Sequence, residues 1–150
     1  CIRDRRILYL ADNAGEIVFD RLLVEQLPTE RVTVVVRGAA VINDATRADA
    51  VAAGLEGLVE VIDNGSDAPG TLLDDCSDEF RRRFADADLV IAKGQGNFET
   101  LSDEPADIFF LLKVKCPVIA GHIGLPLGTH VLARPSVAQP ATGGVDHARA

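Results

Sequence analysis

The sequence predicts an α/β domain: a doubly wound, mostly parallel sheet with helices on both faces, in a Rossmann-like three-layer arrangement. Three observations predict it. Short apolar runs alternate along the chain with segments of helical period. One run, Val32–Val36, is almost wholly β-branched, as in a strand. The first apolar run stops at Asp12-Asn13, and a helix-like pattern opens just beyond. In a parallel sheet such a junction lies on the ligand-binding edge.

The elements follow in order. Residues 7–11 are a short apolar run and read as a buried first strand. Residues 15–27 read as a helix, with Phe19, Leu22, Leu23 and Leu27 on one stripe and Pro28 as the stop. Val32–Val36 is the second strand. Residues 45–53 read as a helix ending at Gly54, and 58–62 as the third strand. The loop Asp63-Asn64-Gly65-Ser66-Asp67 is rich in turn residues. Residues 72–84 read as a polar helix whose apolar face carries Leu72, Leu73, Cys76, Phe80 and Phe84. Residues 89–92, 108–112 and 118–120 are the remaining expected strands. Residues 1–133 are therefore expected to form one domain. Residues 134–150, rich in Ala, Pro, Gly and small polar residues, are expected to be a loose tail without function.

Composition narrows the class. A chain of 150 residues, 47% hydrophobic and 25% charged, can form a full globular core. Its net charge of −8 repels polyanions, so no nucleic-acid partner is expected, and suits a protein that collects metal cations. No apolar run is long enough to cross a membrane, and no signal-peptide pattern opens the sequence. Cys1, Cys76 and Cys116 are scattered and outside CxxC spacing. They are expected to be reduced thiols of a cytoplasmic protein, with Cys116 buried. The chain has no methionine and begins at Cys1, so it is expected to be a fragment lacking an N-terminal portion.

Three segments carry candidate chemistry. Asp12 and Asn13 offer hard oxygen ligands suited to Mg²⁺ or Mn²⁺, Gly15 permits a tight turn, and Glu16 sits in the first helical turn. The competing reading is that Asp12 or Asn13 simply caps the helix. After the second strand, Arg37 can pair with a phosphate or with an acid, and Asp44 either caps a helix or supplies a second metal carboxylate. Arg47 stands three residues beyond Asp44, so a capping box is not expected there. After the fourth strand, Lys93-Gly94-Gln95-Gly96-Asn97-Phe98-Glu99 combines a lysine with glycine amides, the elements of an anion site, or forms a plain turn. Phe98 reads as packing. All three segments follow strand C-termini, which share one edge in a parallel sheet. Two acids, a carboxamide, a lysine and free amides meeting there suit metal-assisted attack on a phosphate ester.

Other chemistries lack their residues. His122, His130 and His147 are too dispersed for a zinc set. No Gly-x-Ser-x-Gly elbow occurs, and no GxGxxG follows the first strand. An aspartyl-phosphate DxD pattern is absent, because the residue two after Asp12 is Ala14.

The segments 11–20 (ADNAGEIVFD), 36–46 (VRGAAVINDAT), 87–99 (ADLVIAKGQGNFE) and 110–117 (FLLKVKCP) resemble the damage-control phosphatase family, also called DUF89 or ARMT1-like. The resemblance runs from about residue 6 to about residue 120 and rests on the first three segments, separated and in order, with 110–117 matching the family's late strand region. It implies metal-dependent hydrolysis of small phosphorylated metabolites. It carries metal ligation onto Asp12, Asn13 and Asp44, and phosphate contacts onto Lys93, Gly94 and Asn97; the residues themselves add Gly96 as a further amide donor to a phosphoryl group. Glu16 matches an acidic position near the family site. Mn²⁺ is the expected ion, and an oxygen-rich set also accepts Mg²⁺, Co²⁺ or Ni²⁺. The family has also been linked to carboxyl methyl transfer from S-adenosylmethionine, for which a glycine-rich loop after strand one is missing. A non-catalytic metabolite-binding domain is the third reading.

Overall fold

The computed structural model describes residues 4–134. Six strands, β1 (Ile7–Leu10), β2 (Val32–Val36), β3 (Glu60–Asp63), β4 (Leu89–Lys93), β5 (Ile108–Lys113) and β6 (His130–Ala133), form one sheet in the order β3-β2-β1-β4-β5-β6. The first five run parallel, and β6 joins β5 antiparallel. Helices α1 (Ile17–Val24) and α2 (Arg47–Ala52) cover one face. Helices α3 (Asp78–Asp86), α4 (Gly94–Leu101) and α5 (Pro117–Ile123) cover the other. The doubly wound α/β prediction holds.

Strand alternation divides the core. Ile7, Tyr9, Val34 and Val36 pack with Ile17, Val24 and Ala50 on the first face. Leu8, Leu10, Val90 and Phe110 pack with Phe80, Phe84, Phe98 and Leu101 on the second. The chain winds from β1 to β2 in one direction and reaches β4 on the other side of β1. The crevice between the C-terminal ends of β1 and β4 is thus the topological switch point, where open α/β sheets bind ligands.

Several elements differ from expectation. Residues 118–120 are not a strand but the body of α5. Pro117 at its first position and Gly124 past its end (φ 74°) are the helix signals that a short apolar run obscured. Strand β6 was not expected; it closes the sheet beyond a tight turn at Gly128 (φ 84°). The 72–84 helix is a 3₁₀ turn, Leu73–Asp75, followed by α3, whose start is capped by the Ser77 hydroxyl accepting from Phe80 N–H at 3.2 Å. The α1 stripe is rotated. Phe19 is 70% exposed and Leu22 60%, while Ile17, Asp20 and Val24 face the sheet. Cys76 is the buried thiol, and Cys116 is only half-buried, because its sulfur faces the α5 N-terminus. The 134–150 tail lies outside the described residues apart from Arg134, as do Cys1 and His147.

Candidate active site

The segments after β1 and β2 are stitched together. Ala45 N–H donates to Asp12 C=O at 2.6 Å, Ala14 N–H to Asn43 C=O at 2.8 Å, and Asn13 bridges Asp44 in an antiparallel pair. Asp12, Asn13 and Asp44 therefore share one small backbone platform. The Asn13 Nδ2 donates to Asp12 Oδ2 and to Glu16 Oε1, both at 3.0 Å. Its N–H donors are thus spent on acids, and its carbonyl oxygen is left for a ligand.

Neither capping account survives. Helix α2 is capped by Thr46, whose N–H and hydroxyl both donate to Asp49 at 2.8 and 2.7 Å. Asp44 lies outside that cap. An Asp three residues after the Thr does the work reserved for Glu or Gln in the usual pattern. Helices α3 and α5 are capped by Ser77 and Cys116. Helices α1 and α4 start beside the switch-point crevice without a side-chain cap; at α1 the Asn13 and Glu16 carbonyls already accept from the Ile17 and Phe19 amides, whereas the first amides of α4 have no such acceptor among the described residues. Uncapped first-turn amides are donors for an anion.

The crevice is acidic around two fixed cations. Lys93 Nζ pairs with Asp20 Oδ1 at 2.6 Å and Glu16 Oε2 at 3.2 Å. Arg37 Nε pairs with Asp44 Oδ2 at 2.7 Å. Asp12, Glu16, Asp20 and Asp44 outnumber the two cations paired within the cluster, Lys93 and Arg37, while Lys113 and Lys115 line the cavity beside it. Burial first, then the charges of Asp44 and Glu16, push Asp12 up to about 6, with Lys115 and Arg37 opposing. Burial works against ionised Glu16, but hydrogen bonds from Asn13 and Lys93 and the lysine charges hold it below its ordinary range. Burial likewise disfavours charged Lys93, yet Asp20 and then Glu16 raise it above its ordinary value.

Among the described residues, no group of three or more His, Cys, Asp or Glu side chains is gathered for a metal. The candidate set is two carboxylates and one amide oxygen, all hard donors, and Asp12 among them has no ion-pair partner among the described residues. That chemistry fits Mn²⁺ or Mg²⁺.

Arg37, Gly96 and Asn97 lie behind the crevice and not in it. Arg37 is 4% exposed, and its guanidinium is spent on Asp44, on Thr71 Oγ1 at 3.1 Å and on Asn97 Oδ1 at 3.3 Å. Asn97 is fully buried. It donates to Lys93 C=O at 2.7 Å and Ala11 C=O at 3.4 Å and accepts from Thr71 at 2.7 Å. Gly96 meets the backbone of Gly70, where a Cβ would stand 3.2 Å from its nitrogen. These residues brace the loops; burial leaves Arg37 and Asn97 no face for a phosphate, while Gly96 is half-buried. Gly94 has φ 82°, and its Cα faces the Asp12 carboxylate so closely that any Cβ would overlap it. Phe98 packs edge-on against Phe110 with centroids 5.1 Å apart, as expected.

A cavity of about 540 Å³ opens beside the platform, lined by Asp12, Glu16, Lys93, Lys113, Lys115 and His130. All three lysines of the chain thus line it. A hollow of about 660 Å³ at the opposite sheet edge is lined by Arg31, Glu60 and Arg83, among others, and Arg83 there is paired with Glu60 at 2.7 Å. Sequence reasoning missed Asp20, Tyr9, Thr71 and Lys115. Lys115 follows β5 and was reachable by the same strand-end rule that found Lys93. Asp20, four residues after Glu16, was hidden by the stripe assigned to its neighbours.

The fold and the crevice define a doubly wound α/β domain with acidic and basic side chains gathered at its switch point. The comparisons give that class a family. Residues 2–131 match the model described as the damage-control phosphatase ARMT1-like domain, and the chain belongs to this family. It is 45% identical over 136 residues to a damage-control phosphatase of Pyrococcus horikoshii, covering 88% of this chain and 47% of that one. It is 43% identical over 130 residues to a damage-control phosphatase of Archaeoglobus fulgidus, covering 84% and 45%. The crystal structure of a DUF89 family protein from Pyrococcus horikoshii superposes with a TM-score of 0.83 at 44% identity, covering 88% of this chain and 48% of that one. The chain spans about half the length of the relatives it matches.

Proposed function

We propose that this domain hydrolyses phosphate monoesters of small metabolites, with a divalent cation, Mn²⁺ first among the candidates, held by Asp12, Asn13 and Asp44. The observation that carries the reading is the meeting of an acidic platform with Lys93 and the uncapped N-terminus of α4 at one crevice. Two relatives carrying the name damage-control phosphatase support it.

When bound, a divalent cation supplies polarisation of a phosphoryl oxygen and a more acidic water. The chain's own residues do the rest. Lys93 and the first amides of α4 hold the transferred phosphoryl oxygens and stabilise their growing charge. Lys115, across the cavity, adds a second positive charge. Glu16 is ionised at neutral pH and accepts the proton of the attacking water. Arg37, Thr71 and Asn97 hold Asp44 and the Lys93 backbone in register.

Asp12→Asn is expected to abolish Mn²⁺-dependent phosphate release from a panel of sugar phosphates. Equal, chelator-insensitive release by both proteins would end the proposal. The fold survives this change and gains stability. Because folding raises Asp12 from its ordinary value to about 6, stability is lost as pH rises from about 4 to about 6, and ionised Asp12 leaves the metal-free fold less stable at neutral pH. Thermal melts of the metal-free proteins at neutral pH check the sign.

Metal binding follows the same group. Below about 6 a proton on Asp12 competes with the cation. Apparent Mn²⁺ affinity, measured by calorimetry, is expected to rise about tenfold per pH unit up to that point and to flatten above it. A flat profile from pH 5 to 8 would remove Asp12 from the ligand set.

A further inference from the structure

One buried carboxylate has no part in the mechanism above. Asp20 is 5% exposed on the sheet-facing side of α1, where an apolar residue is the rule. Its Oδ1 accepts from the Tyr9 hydroxyl at 2.9 Å and from Lys93 Nζ at 2.6 Å. Its Oδ2 is buried without a partner. Tyr9 is completely buried on β1, one strand from Lys93. A charge so placed is costly unless paired, and the partner available to it is the lysine at the crevice.

We infer that Asp20 is a positioning residue for Lys93: fixed from below by Tyr9, it anchors the ammonium at the crevice mouth and leaves one N–H donor for the phosphoryl group. An ammonium has three donors. Asp20 takes one and Glu16 another. The two carboxylates are unequal. The Asp20 side chain is 5% exposed and cannot follow a ligand, whereas that of Glu16 is 47% exposed and can swing away. Incoming anion therefore displaces Glu16 and leaves the lysine where Asp20 holds it. Tyr9, raised well above its ordinary range by burial and by Asp20, stays a neutral donor throughout.

The kinetic part rests on the phosphatase reading; the placement of the lysine does not. Each of the three lysines can be followed by mass spectrometry during acetylation with a limiting N-hydroxysuccinimide ester. In the wild-type chain Lys93 is expected to react most slowly. Asp20→Asn should accelerate Lys93 alone by about tenfold, with Lys113 and Lys115 unchanged, as expected for release of a charge-assisted hydrogen bond. Tyr9→Phe, which keeps the ring, should accelerate it less, and serves if Asp20→Asn unfolds. An unchanged Lys93 rate in both variants overturns the inference. In turnover, Asp20→Asn should lower kcat by about tenfold or more with little change in KM, the scale of a slightly misplaced group. In a Lys93→Met background the same change should cost no further activity and should raise the melting temperature, because the stranded charge is removed. An equal activity loss in both backgrounds assigns Asp20 to structure alone and overturns the inference. A wild-type chain without Mn²⁺-dependent turnover counts against the phosphatase reading, and the acetylation rates still decide the role of Asp20.

Discussion

Gly94→Ala is expected to abolish Mn²⁺ binding and phosphate release while the six-stranded sheet stays folded. A Cβ at this position overlaps the carboxyl carbon and both oxygens of Asp12. The backbone there has φ 82°, a left-handed conformation that costs an alanine about 1–2 kcal/mol. The neighbouring atoms that can give way belong to the Asp12 carboxylate itself, the first candidate ligand. The methyl therefore turns that group out of the platform and breaks its hydrogen bond from Asn13. Circular dichroism should report a retained fold with a melting temperature lowered by about 2–4 °C per kcal/mol. Calorimetry should report no Mn²⁺ binding. Wild-type Mn²⁺ affinity in this variant would separate Asp12 from the metal site.

Arg37→Met is expected to be the most destabilising single change at the site. Arg37 and Asp44 have side chains only 4% and 9% exposed, so their pairing at 2.7 Å is sealed from water. Removing the guanidinium leaves a buried carboxylate unpaired and takes donors from Thr71 and Asn97. Breaking such a pair from one side costs about 3–5 kcal/mol, a large share of a total near 5–15 kcal/mol. Urea unfolding measures it. Asp44→Ala should lose turnover and a similar share of stability, because it strands the arginine. Combining Arg37→Met with Asp44→Leu should recover most of that stability without recovering activity. If Arg37→Met unfolds at the wild-type urea midpoint, the pair is not what holds the β2–α2 segment. Asp12 and Asp44 are thus expected to differ: replacing the first should cost turnover without stability, replacing the second both turnover and stability.

The legible parts of this protein are those governed by local rules. Val32–Val36 was read with its true bounds because a β-branched run has one good conformation. Asp12, Asn13, Asp44 and Lys93 were found because they follow strands, and parallel strands end at one edge. Residues 118–120 are ambiguous in the sequence because three apolar residues satisfy either period, and only the flanking Pro117 and Gly124 separate the cases. The α1 stripe was misplaced because its register was judged by hydropathy. The burial of Asp20 depends on Tyr9 and Lys93, which arrive from two other strands.

By itself the sequence determined the layer order of the fold, the edge on which chemistry gathers and the acids, amide and lysine that gather there, because spacing and strand-end position are properties of neighbouring residues. Tertiary structure alone decided which polar residues face the crevice and which brace it. Arg37 and Asn97 look like phosphate contacts in the chain, yet burial turns them toward Asp44, Thr71 and the Lys93 backbone. The direction of a side chain is set by contacts as distant as the 60 positions between Arg37 and Asn97, and no local pattern encodes it.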